Sequence, residues 1–314
     1  MNAPPVLAAP QPVPVRRRGL RPRPPRRGPR SRWMPAWLLL PTAAVLLPLF
    51  GYPLYQLGLL SVLDYRQPQV SGGQPTRFVG ADNYAALLRD PQFWSVLAHT
   101  VGFAAVCVVA TLAVGAALAV LLTRVGRVAR LALSFAALGA WAAPAITGST
   151  VWMFLFDTNL GLVNELLGLG AHNWIYDKYS AFALVGAAVV WHSFPFVMIT
   201  LYAGIKAIPE EVLEAAALDG ASAVTTFRRV TVPMLRPLIL IVVIQSIIWD
   251  FKIFTQIYVM TGGGGIAGQN LVLNVYAYQK AFASSEYSLG AAIGVIMLVI
   301  LLAVTLLYLR VLRR

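Results

Sequence analysis

The chain has 314 residues, 58% of them hydrophobic and only 12% charged, with a mean hydropathy of +0.70. That balance excludes an ordinary soluble domain and points to a protein that crosses a membrane several times. The formal charge of +13 would suit a nucleic-acid binder, but the basic residues sit in short clusters between apolar runs, which excludes nucleic acid as the partner.

Residues 1–32 are rich in Pro and Arg, with nine arginines between Arg16 and Arg32, and lack periodic apolar positions. They are expected to form a disordered basic cytoplasmic tail attracted to anionic headgroups. Arg16-Arg17-Arg18 does not make a twin-arginine signal. The first apolar run starts far downstream and is too long for a signal-peptide core, so a retained span is expected.

Residues 33–314 are expected to form one all-α, polytopic membrane domain. Runs long enough to cross a bilayer (about 20 residues each) fall near 36–62, 93–123, 131–156, 181–205, 234–260 and 288–309. Between the first two, Gly80 to Thr100 predicts a short interfacial helix capped by Asp82. A second helix should follow, with Asp90 as N-cap and Pro91 as its first residue. The second span holds the single cysteine, Cys107, expected as a small core residue. After the third span, His172 and Asp177 have the H-x4-D spacing of some acyltransferases. Without that chemistry's companion motifs, the pair does not carry the function.

The fourth span contains Trp191-His192-Ser193-Phe194-Pro195-Phe196. Pro195 removes one backbone bond, so the helix is expected to open locally, against a cavity or as a kink packed on its neighbours. In the following loop, 207–233, Pro209 fits the first helical position and Glu210 and Glu211 sit at the positive end of the dipole. That helix should end at Asp219-Gly220, and Ser222 should cap a second one carrying Phe227, Arg228 and Arg229. Pro233 should break the run before the fifth span. The expectation is a helix, a sharp turn and a helix, standing clear of the membrane.

In the fifth span, Ser246, Trp249 and Asp250 fall at i, i+3 and i+4, on one face. A carboxylate at that depth costs about 2.5–3.5 kcal/mol, so it should face protein or a water-filled cavity, or pair with a basic residue of a partner subunit. On a continuous helix Lys252, two positions on, would lie about 200° away and could not neutralise it. Gly263 to Gly268 satisfies G-x-G-x-x-G, but follows a membrane helix where a dinucleotide site needs a strand. No G-x-x-x-x-G-K-[ST] and no H-E-x-x-H occur, and the three histidines are scattered. No catalytic or metal-binding residues are expected, and any ATP is bound by another polypeptide. Gly290 and Gly294 form a G-x-x-x-G suited to close helix contact, within the chain or between subunits.

The basic residues set the topology. With six spans, the tail, Arg124, Arg127 and Arg130, the group Lys206, Arg228, Arg229 and Arg236, and the terminal Arg310, Arg313 and Arg314 fall on one side. By the positive-inside rule that side, with both termini, is the cytoplasm.

Glu214-Ala215-Ala216, three residues, Gly220, nine residues and Val230-Thr231-Val232-Pro233 resemble the EAA loop of binding-protein-dependent ABC importer permeases. The family pattern is EAA, three residues, Gly, nine residues, Ile-x-Leu-Pro; Val230 and Val232 stand for its Ile and Leu. Five identities at fixed spacing arise by chance at roughly one start position in 10^5. Gly80, Asn83, Tyr84, Phe93, Trp94 and Thr100 resemble the family's "G-x-x-N-Y … F-W … N-T", with His99 for its Asn. Gly161 and Asn164 fit its "G-x-x-N-x-L-L", and Thr261 to Gly264 its "T-G-G-G-P", with Gly265 for the proline. The Trp191–Phe196 run resembles "W-x-G-F-P-Y", with Ser193 for Gly and Phe196 for Tyr.

The likeness covers roughly residues 36–310 and resembles the maltose-type first permease of carbohydrate importers. It implies the MetI-like six-helix fold in a bacterial cytoplasmic membrane and a carbohydrate cargo. The implied partners are a second permease subunit in a heterodimer, an ABC ATPase dimer binding ATP and Mg, and an extracytoplasmic sugar-binding protein. It further implies that Glu214, Ala215, Ala216, Asp219 and Gly220 dock on the ATPase. His192, Ser193, Phe196, Ser246, Trp249 and Asp250 would line the substrate pathway, with Asp250 in place of an Asn. The competing reading is an ion-coupled secondary carrier, which calls for ionisable residues on several spans and paired broken helices. Here only the fifth span carries such residues, Asp250 and Lys252.

Overall fold

Long apolar helices dominate the computed structural model, which describes residues 34–312. The expected tail and the last two arginines lie outside the described residues. The chain divides into two units, Met1–Tyr52 and Pro53–Arg314. The described part of the first is helical, Met34–Leu46 running into a π-turn, Leu47–Gly51, that contains Pro48.

By length and composition, five helices can cross a membrane: Leu39–Ser61, Pro91–Arg124, Lys178–Lys206, Ala223–Phe251 and Tyr287–Leu312. The count reaches six if the pair Arg127–Ala142 and Ala145–Leu155, bent by 104°, forms one broken span. The span expected near 131–156 thus corresponds to this bent pair and not to one straight helix. Ala143 and Pro144 take extended backbone, with ψ 135° at both. A proline cannot donate to the helix and pushes the residue before it out of the helical region. The fifth span is also shifted, starting at Ala223 and stopping at Phe251, after which a separate helix, Thr255–Met260, begins.

The second and fourth spans pack closely because small residues let them. A Cβ on Gly115 would lie 2.6 Å from the Val197 side chain, and one on Gly204 would lie 2.8 Å from Leu235 of the fifth span. Phe93, Cys107, Val185, Ile257, Leu273 and Ile293 are buried in one cluster, with Cys107 in the expected core role. Gly290 packs against the Ala277 carbonyl and Ala281, so that half of the G-x-x-x-G makes an intrachain contact.

The segments 62–90, 156–177 and 252–286 meet at one end, tied by polar clasps. Asn83 Nδ2 donates to the carbonyls of Ser61 and Leu63, each at 2.9 Å, and the Tyr84 hydroxyl reaches Ser61 Oγ at 2.7 Å. Leu273 N–H donates to Thr100 Oγ1 at 2.8 Å, and Asn270 Nδ2 to the Lys178 carbonyl at 2.9 Å. A two-residue antiparallel ladder pairs Leu63 with Phe78 and Asp64 with Arg77.

Asp90 caps the second span as expected, accepting from Gln92 N–H at 2.9 Å, with Pro91 next. Asp82 does not cap: its N–H already bonds to the Val79 carbonyl, Ala81 is the N-cap, and Asp82 is the first helical residue. It can act there only through the helix dipole. Asp177 caps the fourth span, accepting from Tyr179 and Ser180 N–H, and His172 rests edge-on against Trp174 with centroids 4.8 Å apart. The H-x4-D pair is thus structural. Gly262 to Gly265 all have positive φ, and the element directly before them is the helix Thr255–Met260, not a strand. Gly265, at φ +77°, holds a conformation closed to the family's proline.

Candidate functional site

Two regions gather the residues singled out by the sequence. The first is the loop between the fourth and fifth spans. Its helix is Glu210–Leu218, with Pro209 as N-cap and not as first helical residue, because its ψ of 136° is extended. Glu210 and Glu211 occupy the first turn. Gly220, at φ +77°, ends the helix; its N–H bonds to the Ala217 carbonyl and that of Ala221 to the Ala216 carbonyl, each at 3.0 Å. This pair of bonds is the left-handed glycine stop. Ser222 Oγ then accepts from Thr225 N–H at 3.3 Å.

Beyond Ser222 the expectation of a break at Pro233 fails. Helix Ala223–Thr226 runs through a π-turn, Phe227–Thr231, into Val232–Phe251. Val232 N–H reaches back to the Phe227 carbonyl, so Pro233 arrives at the start of the next α-helical stretch, where its missing N–H costs little. The second loop helix is therefore the foot of the fifth span, and the projecting element is Glu210–Leu218 with its turn.

On that element Glu211, Glu214, Ala215 and Leu218 share a face, and all are exposed, Leu218 by 89%. Ala216 is buried and looks inward, so the two alanines do not form one outer surface. Asp219 and Gly220 are exposed at the tip. Among the described residues Glu210, Glu211, Glu214, Asp219, Arg228 and Arg229 form no ion pair and no side-chain hydrogen bond.

The second region is a cavity of about 460 Å³ whose walls include Trp141, His192, Ser193, Trp249, Asp250 and Lys252. Phe196 braces it, stacked on Trp141 with centroids 6.4 Å apart and tilted against Trp249 at 5.3 Å. Ser246 is buried and does not line the cavity. Asp250 is 3% exposed, and its Oδ2 has no hydrogen-bond partner among the described residues. Lys252 shares the cavity because the helix stops at Phe251 and the backbone turns at Lys252, φ −97° and ψ 18°. The 200° separation holds only on a continuous helix. Pro195 is buried inside Lys178–Lys206 and does not interrupt it, so the expected opening amounts to one unpaired carbonyl, that of Trp191.

Sequence reasoning missed Trp141 and Lys252. Pro144 signalled the bend that presents Trp141. The polar residues Asp250, Lys252, Thr255 and Gln256 inside an apolar run signalled the break that turns Lys252 inward. A larger space of about 970 Å³ lies along the second and fourth spans, but its walls are almost wholly apolar and offer little to a polar cargo.

At the clasped end two groups are tuned by their surroundings. The N–H groups of Leu160 and Asn159 hold the Asp157 carboxyl below the usual range. Burial, reinforced by the Asp90 carboxylate at 2.9 Å, pushes the Tyr276 hydroxyl up.

Residues 112–314 match the family model described as the inner membrane component of binding-protein-dependent transport systems. The chain is 41% identical over 283 residues to the diacetylchitobiose uptake system permease protein DasB of Streptomyces coelicolor, covering 88% of this chain and 86% of that one. It is 34% identical over 238 residues to the trehalose/maltose transport system permease protein MalF of Thermococcus litoralis, covering 74% and 79%. Among solved structures, a chain of a bacterial ABC transporter that imports the acidic polysaccharide alginate aligns with a TM-score of 0.75 at 19% identity, covering 90% of this chain and 96% of that one. That likeness concerns the fold.

Proposed function

The chain belongs to the family of inner membrane components of binding-protein-dependent transport systems, and from that premise we propose a cargo and a division of labour. It is a multi-pass permease subunit of an ABC importer for carbohydrate. The proposed cargo is a disaccharide-sized carbohydrate, for which diacetylchitobiose is the first probe. The proposed partners are a second permease, an ATPase dimer that holds ATP and Mg, and an extracytoplasmic binding protein. This chain supplies no catalytic group. Both termini and the 207–222 loop face the cytoplasm.

The observation that carries the reading is the exposed face Glu211, Glu214, Ala215 and Leu218 on a helix closed by Gly220. Carboxylates and a bare leucine without partners among the described residues suit a cleft with basic and apolar walls on the ATPase. Closure of that cleft would push on Glu210–Leu218 and, through the unbroken run from Ala223, directly on the fifth span. That span ends at Trp249 and Asp250, so the push arrives at the cavity. There the Trp141 and Trp249 rings fit the apolar faces of sugar rings. Asp250 accepts from hydroxyls, and Lys252 donates to ring or carbonyl oxygens.

The test is uptake by vesicles carrying the reconstituted complex, with labelled diacetylchitobiose, trehalose and maltose presented on the binding protein. ATP-dependent, vanadate-sensitive uptake of one of these is expected. Uptake driven by an ion gradient without ATP would overturn the reading in favour of a secondary carrier.

A further inference from the structure

Phe254 lines two cavities at once. One is the polar cavity that holds Asp250; the other, of about 520 Å³, has Tyr278, Phe282 and Tyr287 in its walls. From Phe254 the rings follow one another without a gap. Tyr278 lies 5.3 Å away between centroids, Phe282 a further 5.0 Å, Tyr287 a further 6.3 Å and Tyr65 a further 6.0 Å. Tyr258 flanks the start, stacked on Phe254 at 5.0 Å and edge-on to Tyr278 at 5.3 Å.

Local structure explains the alignment. Tyr278 and Phe282 stand four residues apart across the run from Leu273–Tyr278 into the π-turn Gln279–Ala283, and so share a face. Phe254 and Tyr258 have the same spacing at the start of Thr255–Met260. The run is anchored from beneath: Asn274 Nδ2 donates to the Lys252 carbonyl at 2.8 Å, and Gln279 Nε2 to the Gly263 carbonyl at 2.6 Å.

Three features separate this row from core packing. Exposure rises along it, with Phe254 half-buried, Tyr278 38% exposed and Phe282 65% exposed. The three ring pairs from Phe254 through Tyr278 and Phe282 to Tyr287 are tilted or edge-on, so none is closed face to face on the next. The hydroxyls of Tyr258 and Tyr278 make no hydrogen bond among the described residues.

We propose that the aromatic row from Phe282 to Phe254 receives the carbohydrate and hands it, ring by ring, to the cavity at Asp250. The C–H faces of a pyranose stack on aromatic rings while hydroxyls at its rim find the tyrosine oxygens. A spacing of one sugar width lets a saccharide of two or more rings hold one platform while it moves to the next. The proposal rests on the carbohydrate reading above and names the surface that accepts the cargo.

The experiment uses the complete complex in vesicles, with diacetylchitobiose, trehalose and maltose each loaded on the binding protein. Uptake and ATP hydrolysis are measured for Tyr278→Ala, Phe282→Ala, Tyr278→Phe and Phe282→Trp. The alanine variants are expected to lower uptake about three- to ten-fold while ATP hydrolysis stimulated by the loaded binding protein persists, so that ATP consumed per sugar rises. The aromatic variants are expected to restore uptake. Unchanged uptake, a parallel fall of uptake and hydrolysis, or loss of the second permease from the complex would each overturn the proposal, the last by making the row a subunit interface. A wild-type complex that hydrolyses ATP but takes up none of the three sugars would instead overturn the carbohydrate reading beneath it.

Discussion

The two ends of this molecule satisfy their polar groups in opposite ways. At the clasped end, Asn164 is buried, donates to the carbonyls of Asp157, Thr158 and His172, and accepts from Trp174 Nε1 at 2.7 Å. Asp90 and Asp177 cap helices, and Glu286 pairs with Lys280 at 3.3 Å. At the loop end, Glu210, Glu211, Glu214 and Asp219 are exposed with no partner among the described residues, beside an exposed Leu218. The clasped end is tied largely by side chains of its own chain, whereas the loop end offers the surface proposed above for a second protein. Substitutions should therefore cost fold stability at the first end and assembly at the second.

The largest stability effect is expected from Asn164→Leu. It removes an amide that serves three carbonyls and strands the Trp174 indole N–H, for a loss of about 2–3 kcal/mol. Thermal unfolding of the purified chain in detergent checks this. An unchanged midpoint would erase the contrast between the ends.

Next is Gly220→Ala, which places a side chain at φ +77° and should cost of order 1 kcal/mol. A Cβ there meets open space, so the cost is conformational and local. The chain should still insert in the membrane and bind the ATPase less tightly. Wild-type affinity for the ATPase would show that the shape of the turn is irrelevant to docking.

The contrast also marks how much was legible beforehand. Helix number, the Asp90 and Ser222 caps and the glycine stop at Gly220 follow from local chemistry: apolar run length, short polar side chains and backbone freedom. Apart from Asp82, which lies one residue inside its helix, and Ser246, the failures concern how prolines and breaks sit in three dimensions. Pro144 bends the third span and Pro233 does not break the fifth, because a π-turn upstream of Pro233 absorbs the missing donor. Each proline signals a possible break, but the local pattern does not say which of the two becomes one. Lys252 was placed away from Asp250 by extending a helix that stops at Phe251, and Ser246 was placed on the cavity wall by helix phase alone. The six residues assigned to the pathway do converge on one region, four of them on the cavity wall.

A smaller stability effect is expected from Asp250→Asn, under about 1 kcal/mol, since Oδ2 has no partner among the described residues to lose. Uptake should nevertheless fall while the complex stays assembled, because a carboxylate accepts from sugar hydroxyls with both oxygens and an amide with one. Unchanged uptake would remove Asp250 from the pathway. Loss of the second permease from the complex would reassign it to an ion pair with that subunit.

The smallest effect on the fold is expected from Glu214→Lys. The side chain is exposed in mid-helix, and Lys and Glu have similar helix propensities. It has no ionic partner among the described residues to lose, so the stability change should stay within about 0.5 kcal/mol. Its effect on assembly should be the reverse. Reversing one charge on the face formed with Glu211, Ala215 and Leu218 sets like charge against a basic cleft, which costs more than neutralising it. Glu214→Gln should then retain more ATPase binding than Glu214→Lys, and the gap between them should shrink as salt is raised. Titrating the ATPase onto nanodisc-embedded variants at low and high ionic strength reads both quantities. Equal binding by all three chains would mean that the unpartnered carboxylate at Glu214 is simply solvated, and that this end of the molecule is not completed there.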